Sequence, residues 1–231
     1  MPYLLDLCPT EFQKVKEGGL PLMIATGSVE FHGGQLPLGT DLFITEGVLK
    51  EIEKQIPVVI APPIPFCPTG YAVSGASQGT ADIGVDCFID YCGQILKNYE
   101  QMGFQKIYIL IHHQGGNIGT FIKTAILKYS MYEVYQTLGD GWWTKKIPNP
   151  MKSAVEIVPA MLDTKFFGGH GGKGETEAIM AFRPETVRFE NTEKELFWWN
   201  ETVTEANEEN ALMQKKILIE KWIQKINSDK A

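Results

Sequence analysis

Four short runs of apolar residues stand out along the chain, at Leu20 to Ala25, Val58 to Pro62, Lys106 to Ile111 and Ala154 to Pro159. They are rich in Ile, Val and Leu and bounded by longer segments of helical period. Asp41 to Gln55 carries Phe43, Ile44, Val48, Leu49 and Ile52 at helical spacing, with Thr40 or Asp41 as its N-cap, and Val85 to Met102 and Asn117 to Leu138 repeat the pattern. A run that is apolar at consecutive positions belongs to a strand covered on both sides, which is the situation in a parallel sheet. The alternation of such strands with helices therefore predicts an α/β fold, a three-layer αβα arrangement around a mostly parallel sheet. Glu193 to Ile226 reads as a long, charged helical stretch bearing Trp198 and Trp199, with a break near Asn207 to Asn210, lying on the outside of the fold. No repeat or low-complexity linker divides the chain, so residues 1–231 are expected to form one domain.

In an open parallel sheet ligands bind beyond the carboxyl ends of the strands. The segments that follow the apolar runs are accordingly the ones to search. After the first come Thr26-Gly27-Ser28-Val29-Glu30-Phe31-His32-Gly33-Gly34 and then Leu36-Pro37-Leu38-Gly39-Thr40-Asp41. The third leads into His112-His113-Gln114-Gly115-Gly116-Asn117, and the fourth into Gly168-Gly169-His170-Gly171-Gly172-Lys173-Gly174-Glu175-Thr176. All 4 histidines of the chain lie in these loops beside glycines, which allow backbone to approach a ligand closely.

Composition narrows the partners. The net charge is −7 and no Lys/Arg run exceeds two residues, so a nucleic-acid backbone finds no electrostatic footprint. The apolar runs fall far short of the roughly 20 residues of a membrane helix. Asp6, Glu11 and Glu17 interrupt any signal-peptide pattern at the start. Cys8, Cys67, Cys87 and Cys92 show no Cys-x-x-Cys spacing and read as reduced thiols of a cytoplasmic protein.

Glu30 and His32, two apart in an extended segment, point to one side, and Asp41 returns nine residues later at a helix start. Two carboxylates and an imidazole suit Zn or Mn, with iron a third option, and a carboxylate can bridge two ions roughly 3.5–4 Å apart. The same residues would equally serve as loop hydrogen-bonders and a helix cap, since no established zinc signature is present. Adjacent His112 and His113, leaving a strand, should point in opposite directions, so only one of them is expected at a shared site. Glu175 falls near the N-terminus of a helix expected over Thr176 to Phe182, where an anion is favoured. That loop fails the phosphate-loop pattern, because Gly174 follows Lys173 where Ser or Thr is required. Gly75-Ala76-Ser77-Gln78-Gly79 matches the Gly-x-Ser-x-Gly elbow of serine hydrolases, yet Pro62, Pro63, Pro65 and Pro68 precede it where a strand is needed.

Taken together, the loops resemble those of the creatininase (creatinine amidohydrolase) family. The resemblance rests on Gly27-Ser28-Val29-Glu30-Phe31-His32-Gly33 with Leu36-Pro37-Leu38-Gly39-Thr40-Asp41, on Gly79-Thr80, on Gly115-Gly116-Asn117, and on His170-Gly171-Gly172-Lys173-Gly174-Glu175-Thr176. It spans roughly residues 20 to 185. The resemblance implies a hydrolase holding one or two divalent ions, with Glu30, His32 and Asp41 as ligands and Asp41 bridging. Glu175 would lie beside the site as an acid or ligand, and His170 would move protons. The expected substrate is a small polar molecule and the expected reaction cleavage of an amide or cyclic amide. Ring-opening of a cyclic ketone such as an inositol-derived diketone, of the 3-dehydro-scyllo-inosose type, is the alternative, and a relative that binds without turnover is another. Homo-oligomers, often hexamers, are usual for such relatives. One departure matters. Gln114 stands where the family's third loop places a ligand histidine, with His113 one position earlier, and Gly116 stands where creatininase itself has a metal-binding Glu. Gln114 through its carbonyl oxygen, His113 after a small shift of register, or a single tightly bound ion would each answer it. The missing carboxylate argues against creatinine itself. Trp142, Trp143, Phe166 and Phe167 are placed to roof a pocket or to pack in the core or at an interface.

Overall fold

A computed structural model describes residues 3–113, 118–138, 154–194 and 196–229. In chain order the main elements are α1 (Pro9–Glu17), β1 (Leu22–Ala25), α2 (Thr40–Glu53), β2 (Val59–Ile60), α3 (Val85–Gln101), β3 (Ile107–Ile111), α4 (Ile118–Leu138), β4 (Val155–Pro159), α5 (Lys173–Phe182) and α6 (Glu208–Ser228). The strands form one sheet in the order β2-β1-β3-β4, and every pairing is parallel. The register sets Leu22 opposite both Val59 and Ile107, and Ile107 opposite Val155.

The consecutive apolar residues of each strand divide between two cores. Met23, Ala25, Tyr108 and Leu110 face a cluster with Ile44, Val48 and Ile52 of α2, Ala178 and Ile179 of α5, and Leu218 and Trp222 of α6. Leu22, Ile24, Ile107 and Ile109 face the other way, against Val15 of α1, Phe88, Cys92 and Leu96 of α3, and Ile118 and Ile122 of α4. Successive strand side chains point to opposite faces, so a strand between two helical layers must be apolar at every position. This is the three-layer αβα architecture.

The strand order turns back on itself: β2 lies on one side of β1, and the chain then crosses to place β3 on the other. The crevice at such a switch point, beyond the carboxyl ends of β1 and β3, is where open α/β sheets bind ligands. Gly27, at the end of β1, is what lets α2 start there. A Cβ at Gly27 would lie 2.4 Å from the backbone nitrogen of Leu42, and neither backbone can yield cheaply. Gly27→Ala should therefore destabilise the protein by about 3 kcal/mol through overpacking, read from urea denaturation; a loss below about 0.5 kcal/mol would show that α2 slides freely.

Two expected boundaries are corrected. The helical stretch expected over 193–226 begins only at Glu208, because the Asn207 side chain accepts from the Asn210 N–H (2.8 Å) and caps α6 there. Residues before it run through turns and a short 3-10 segment at Val203–Glu205, so Trp198 and Trp199 are not on that helix. Nor does α6 lie wholly outside: Trp222 is fully buried and donates its Nε1–H to the carbonyl of Ala160 (2.7 Å). In addition, α1 was not marked by the apolar pattern, and α5 starts three residues before the expected Thr176. Among the described residues, no helix is long and apolar enough to cross a membrane.

Candidate metal centre

The loop after β1 closes on itself and delivers two acids to one place. Thr26 is pinned to β3 by its hydroxyl, which donates to the Leu110 carbonyl (2.8 Å), and the Glu30 N–H donates to the Leu38 carbonyl (2.9 Å). That second bond folds the loop so that Glu30 and Asp41 meet. Gly39 precedes the first helical residue, and Thr40 spends its hydroxyl on the Pro37 carbonyl (2.7 Å), so neither Thr40 nor Asp41 is the cap. Asp41, in the first turn of α2, is instead turned into the crevice, its charge favoured by the amides of the helix start. Asp41 Oδ2 accepts from the Ser28 hydroxyl (2.6 Å) and lies 3.0 Å from His113 Nδ1, and Glu30 Oε2 lies 3.1 Å from the same nitrogen. Glu30, Asp41 and His113 are all buried.

A second group adjoins the first. His32 Nδ1 faces the Glu30 carbonyl at 2.9 Å, and since a carbonyl only accepts, Nδ1 carries the proton. His32 Nε2 is then buried without a hydrogen-bond partner, 3.5 Å from Asp41 Oδ1 and 3.8 Å from Glu175 Oε2. Glu175, in the first turn of α5, accepts from the Gly171 N–H through Oε2 (2.6 Å), and its Oε1 lies 3.1 Å from His112 Nε2. Donors each about 2.0–2.2 Å from a shared ion lie about 2.8–3.6 Å apart at octahedral to tetrahedral angles, a range that holds the two carboxylate contacts of His113 and that those of His32 approach. Asp41 belongs to both groups. His170 stands over them, its ring stacked on His32 at 4.3 Å between centroids and its Nε2–H donated to the Phe31 carbonyl (2.8 Å), which leaves Nδ1 as the accepting nitrogen of the neutral ring.

So many carboxylates in one buried place need positive charge. Burial alone would depress the His32 imidazolium, but Asp41 and Glu175 outweigh it and push its pKa up to about 10. His113 follows the same logic, with burial opposed by Asp41 and Glu30, and also reaches about 10. Burial would raise the Asp41 carboxyl, yet His32 and His113 hold it well below the usual range. Without a cation, then, protons neutralise the cluster. Zinc or manganese binding near pH 8 should displace about two of them, one from each imidazole, since a ligand nitrogen must be deprotonated. Calorimetric titrations in buffers of different ionisation enthalpy will show it, and heats independent of the buffer would refute it. The sign for stability follows. In the cation-free protein the contribution of these imidazoles is full below their ordinary value of 6.5 and is lost as the pH rises through about 10.

A cavity of about 510 Å³ opens from the cluster, walled by Glu30, Asp41, His112, His113, His170 and Glu175 at its base and by Val73, Met161, Leu162 and Phe166 at its sides. Its size suits a small molecule. The structure thus brings together Glu30, His32, Asp41, His113, His170 and Glu175. It also adds His112, which alternation had set aside. Both His112 and His113 lie past Ile111, where β3 ends, so the rule of opposite directions no longer governs them. Ser28, the hydroxyl that orients Asp41, was likewise missed, and only its place between Gly27 and Glu30 hinted at it. Gln114, Trp142 and Trp143 lie outside the described residues. Phe166 lines the cavity, whereas Phe167 is buried in the core against Phe182. Ser77 is exposed in a 3-10 turn (Ala76–Gln78), with no strand before it, and α3 starts only at Val85, so the elbow reading fails.

Comparison with known proteins agrees with the geometry. The family model described as "Creatininase: Creatinine amidohydrolase" matches residues 6–214. A curated protein of Thermotoga maritima named 3-dehydro-scyllo-inosose hydrolase is 27% identical over 170 residues, which are 73% of this chain and 52% of that protein. The chain thus spans about half the length of the curated relative it matches. Among solved structures, one titled "Creatininase Mn" superposes with a TM-score of 0.76 at 15% identity, over 98% of both chains. A Glu-to-Gln mutant creatininase of "Zn-Zn type" gives 0.76 at 15% identity, over 98% of this chain and 97% of that one. At that identity the superpositions establish the shared fold.

Proposed function

The chain belongs to the creatininase family, and from that premise we propose that it is a metal-dependent hydrolase in which water attacks the carbonyl carbon of a small polar substrate. The observation that carries this reading is His32 Nε2, a buried nitrogen without a hydrogen-bond partner set between two carboxylates. An unpartnered buried polar atom is costly unless something binds it. Imidazoles and carboxylates in this number fit zinc or manganese, with iron also compatible. Glu30, Asp41 and His113 would hold one ion and His32, Asp41 and Glu175 a second, with Asp41 common to both. On this reading His113 takes the role that the sequence left open between it and Gln114, a choice supported by its place beside Glu30 and Asp41. Divalent ions, when bound, supply Lewis acidity toward a carbonyl and a water acidic enough to ionise near neutral pH.

The chain's own groups do the rest. Ser28 holds Asp41, while the Gly171 N–H and His112 hold Glu175, and such supporting contacts fix ligand orientation. His170, fixed through Nε2, presents Nδ1 to take the proton from the attacking water and deliver it to the departing atom. In a cyclic amide the C–O bond forms, the C–N bond breaks and that proton ends on nitrogen. In a cyclic 1,3-diketone the C–C bond breaks instead, and the proton ends on the carbon between the former carbonyls. The second reaction is favoured by the name of the Thermotoga relative and by Gly116, which lacks the carboxylate of creatininase.

The experiment is to load the protein with Mn or Zn and assay creatinine, other cyclic amides and 3-dehydro-scyllo-inosose, with metal content measured in parallel. Ring opening that is lost on chelation and restored by metal is the expected result. Less than half an equivalent of metal per chain after chelator-free purification would count against the proposal, and binding without turnover would point to an inactive relative. We also take the chain to be a single domain that assembles as a homo-oligomer, on the pattern implied by the resemblance, and to work in the cytoplasm, supported by 4 free cysteines.

A further inference from the structure

The C-terminal turns that replace the expected helix bring Trp199, half of the exposed-looking tryptophan pair, onto the candidate centre. Trp198 is 86% exposed, but Trp199 is partly buried, and its ring lies edge-on to His170 with centroids 5.0 Å apart. The same indole meets Phe31, whose carbonyl accepts the His170 Nε2–H, at 6.2 Å and nearly perpendicular. It also closes on the backbone beside His170: a Cβ at Gly171 would lie 2.7 Å from the Trp199 ring, and Gly171 itself has φ +59. His170 therefore sits in a segment with Gly168, Gly169, Gly171, Gly172 and Gly174 around it, where the chain itself restrains little. Phe197 stacks on Trp199 at 5.0 Å with rings almost parallel, a second aromatic contact that holds the indole.

We propose that Trp199 is a positioning residue for His170, holding its imidazole over the centre from a segment remote in sequence. The inference rests on the proton-carrying role given to His170 above, but the placement of the ring is a separate fact and is tested separately. A small misplacement of a reacting group costs orders of magnitude in rate without weakening substrate binding.

The test compares Trp199→Leu, Trp199→Phe and, as a control, Trp198→Ala, in zinc-supplemented protein labelled at histidine. The His170 imidazole signals are identified by their loss in His170→Asn. In Trp199→Leu they should shift and broaden, with those of His32, on which His170 stacks, responding too, while His112 and His113 keep theirs; Trp199→Phe, which keeps an aromatic ring, should largely restore them and Trp198→Ala should leave them alone. With 3-dehydro-scyllo-inosose as substrate, Trp199→Leu should lower kcat about 10- to 100-fold with KM within about twofold, and Trp199→Phe should recover most of it. Unchanged His170 signals in a folded Trp199→Leu protein would overturn the proposal. A kcat near wild type in that variant, where His170→Asn lowers kcat by about 100-fold or more, would overturn it too. If His170→Asn leaves kcat intact, it is the proton-carrying assignment that falls, and the imidazole signals alone decide the placement.

Discussion

Asp41→Asn is expected to abolish turnover and empty both candidate ion sites at once. Asp41 is the side chain that the two ligand groups share, one oxygen facing His32 Nε2 and the other His113 Nδ1. The amide is nearly isosteric and can still accept from the Ser28 hydroxyl, so the loop and the start of α2 should keep their shape. What disappears is the negative charge that a bridging position requires. Lewis acidity contributes several kcal/mol to such reactions, so activity should fall at least about 1000-fold. Elemental analysis should find metal well below one equivalent, with the circular dichroism of the wild type. A folded Asp41→Asn protein that retains two equivalents of metal and normal rates would refute the assignment of Asp41 as the shared ligand.

The second large effect is expected at His170, with the opposite pattern. His170→Asn keeps a side chain able to donate to the Phe31 carbonyl but offers no ring nitrogen to take up and release a proton. Loss of a general acid-base group costs about 100- to 10,000-fold in kcat. Metal content should be unaffected and KM little changed. If metal leaves along with activity, His170 is acting as a ligand together with Glu30 and His32, with which it also groups, rather than as a proton carrier. The two variants thus separate holding the ions from moving the proton.

Most of the architecture was legible because the strands are sandwiched. Residues such as Met23 and Ile24 are both fully buried on opposite faces, and that double burial writes an unbroken apolar run that nothing on a surface would produce. The first candidate loop was legible for a local reason: Glu30, His32 and Asp41 lie within one connection, so their convergence depends largely on that loop. What failed depended on how distant segments meet. His112 looked as though it must face away, because the alternation rule was extended one residue past a strand that ends at Ile111. The charged stretch before Asn207 has helical composition, yet it folds as turns, and its side chains show why. Glu193 accepts from the Gly34 N–H (2.8 Å) and Thr202 from the Lys173 N–H (3.1 Å), so this stretch serves loops far from it in sequence. Tertiary demand of that kind leaves no periodic trace.

The parallel order β2-β1-β3-β4 also has a consequence for how the protein comes into being. Glu30 emerges from the ribosome before β3 exists, whereas Glu175 and Trp199 follow only after β4 has been made. Parallel neighbours cannot pair as simple hairpins, so their contacts are non-local and slow to form. A nascent chain would consequently carry Glu30, Asp41 and His113 once β3 has been made, but could bring Glu175 to His32 and Asp41 only after β4 has followed.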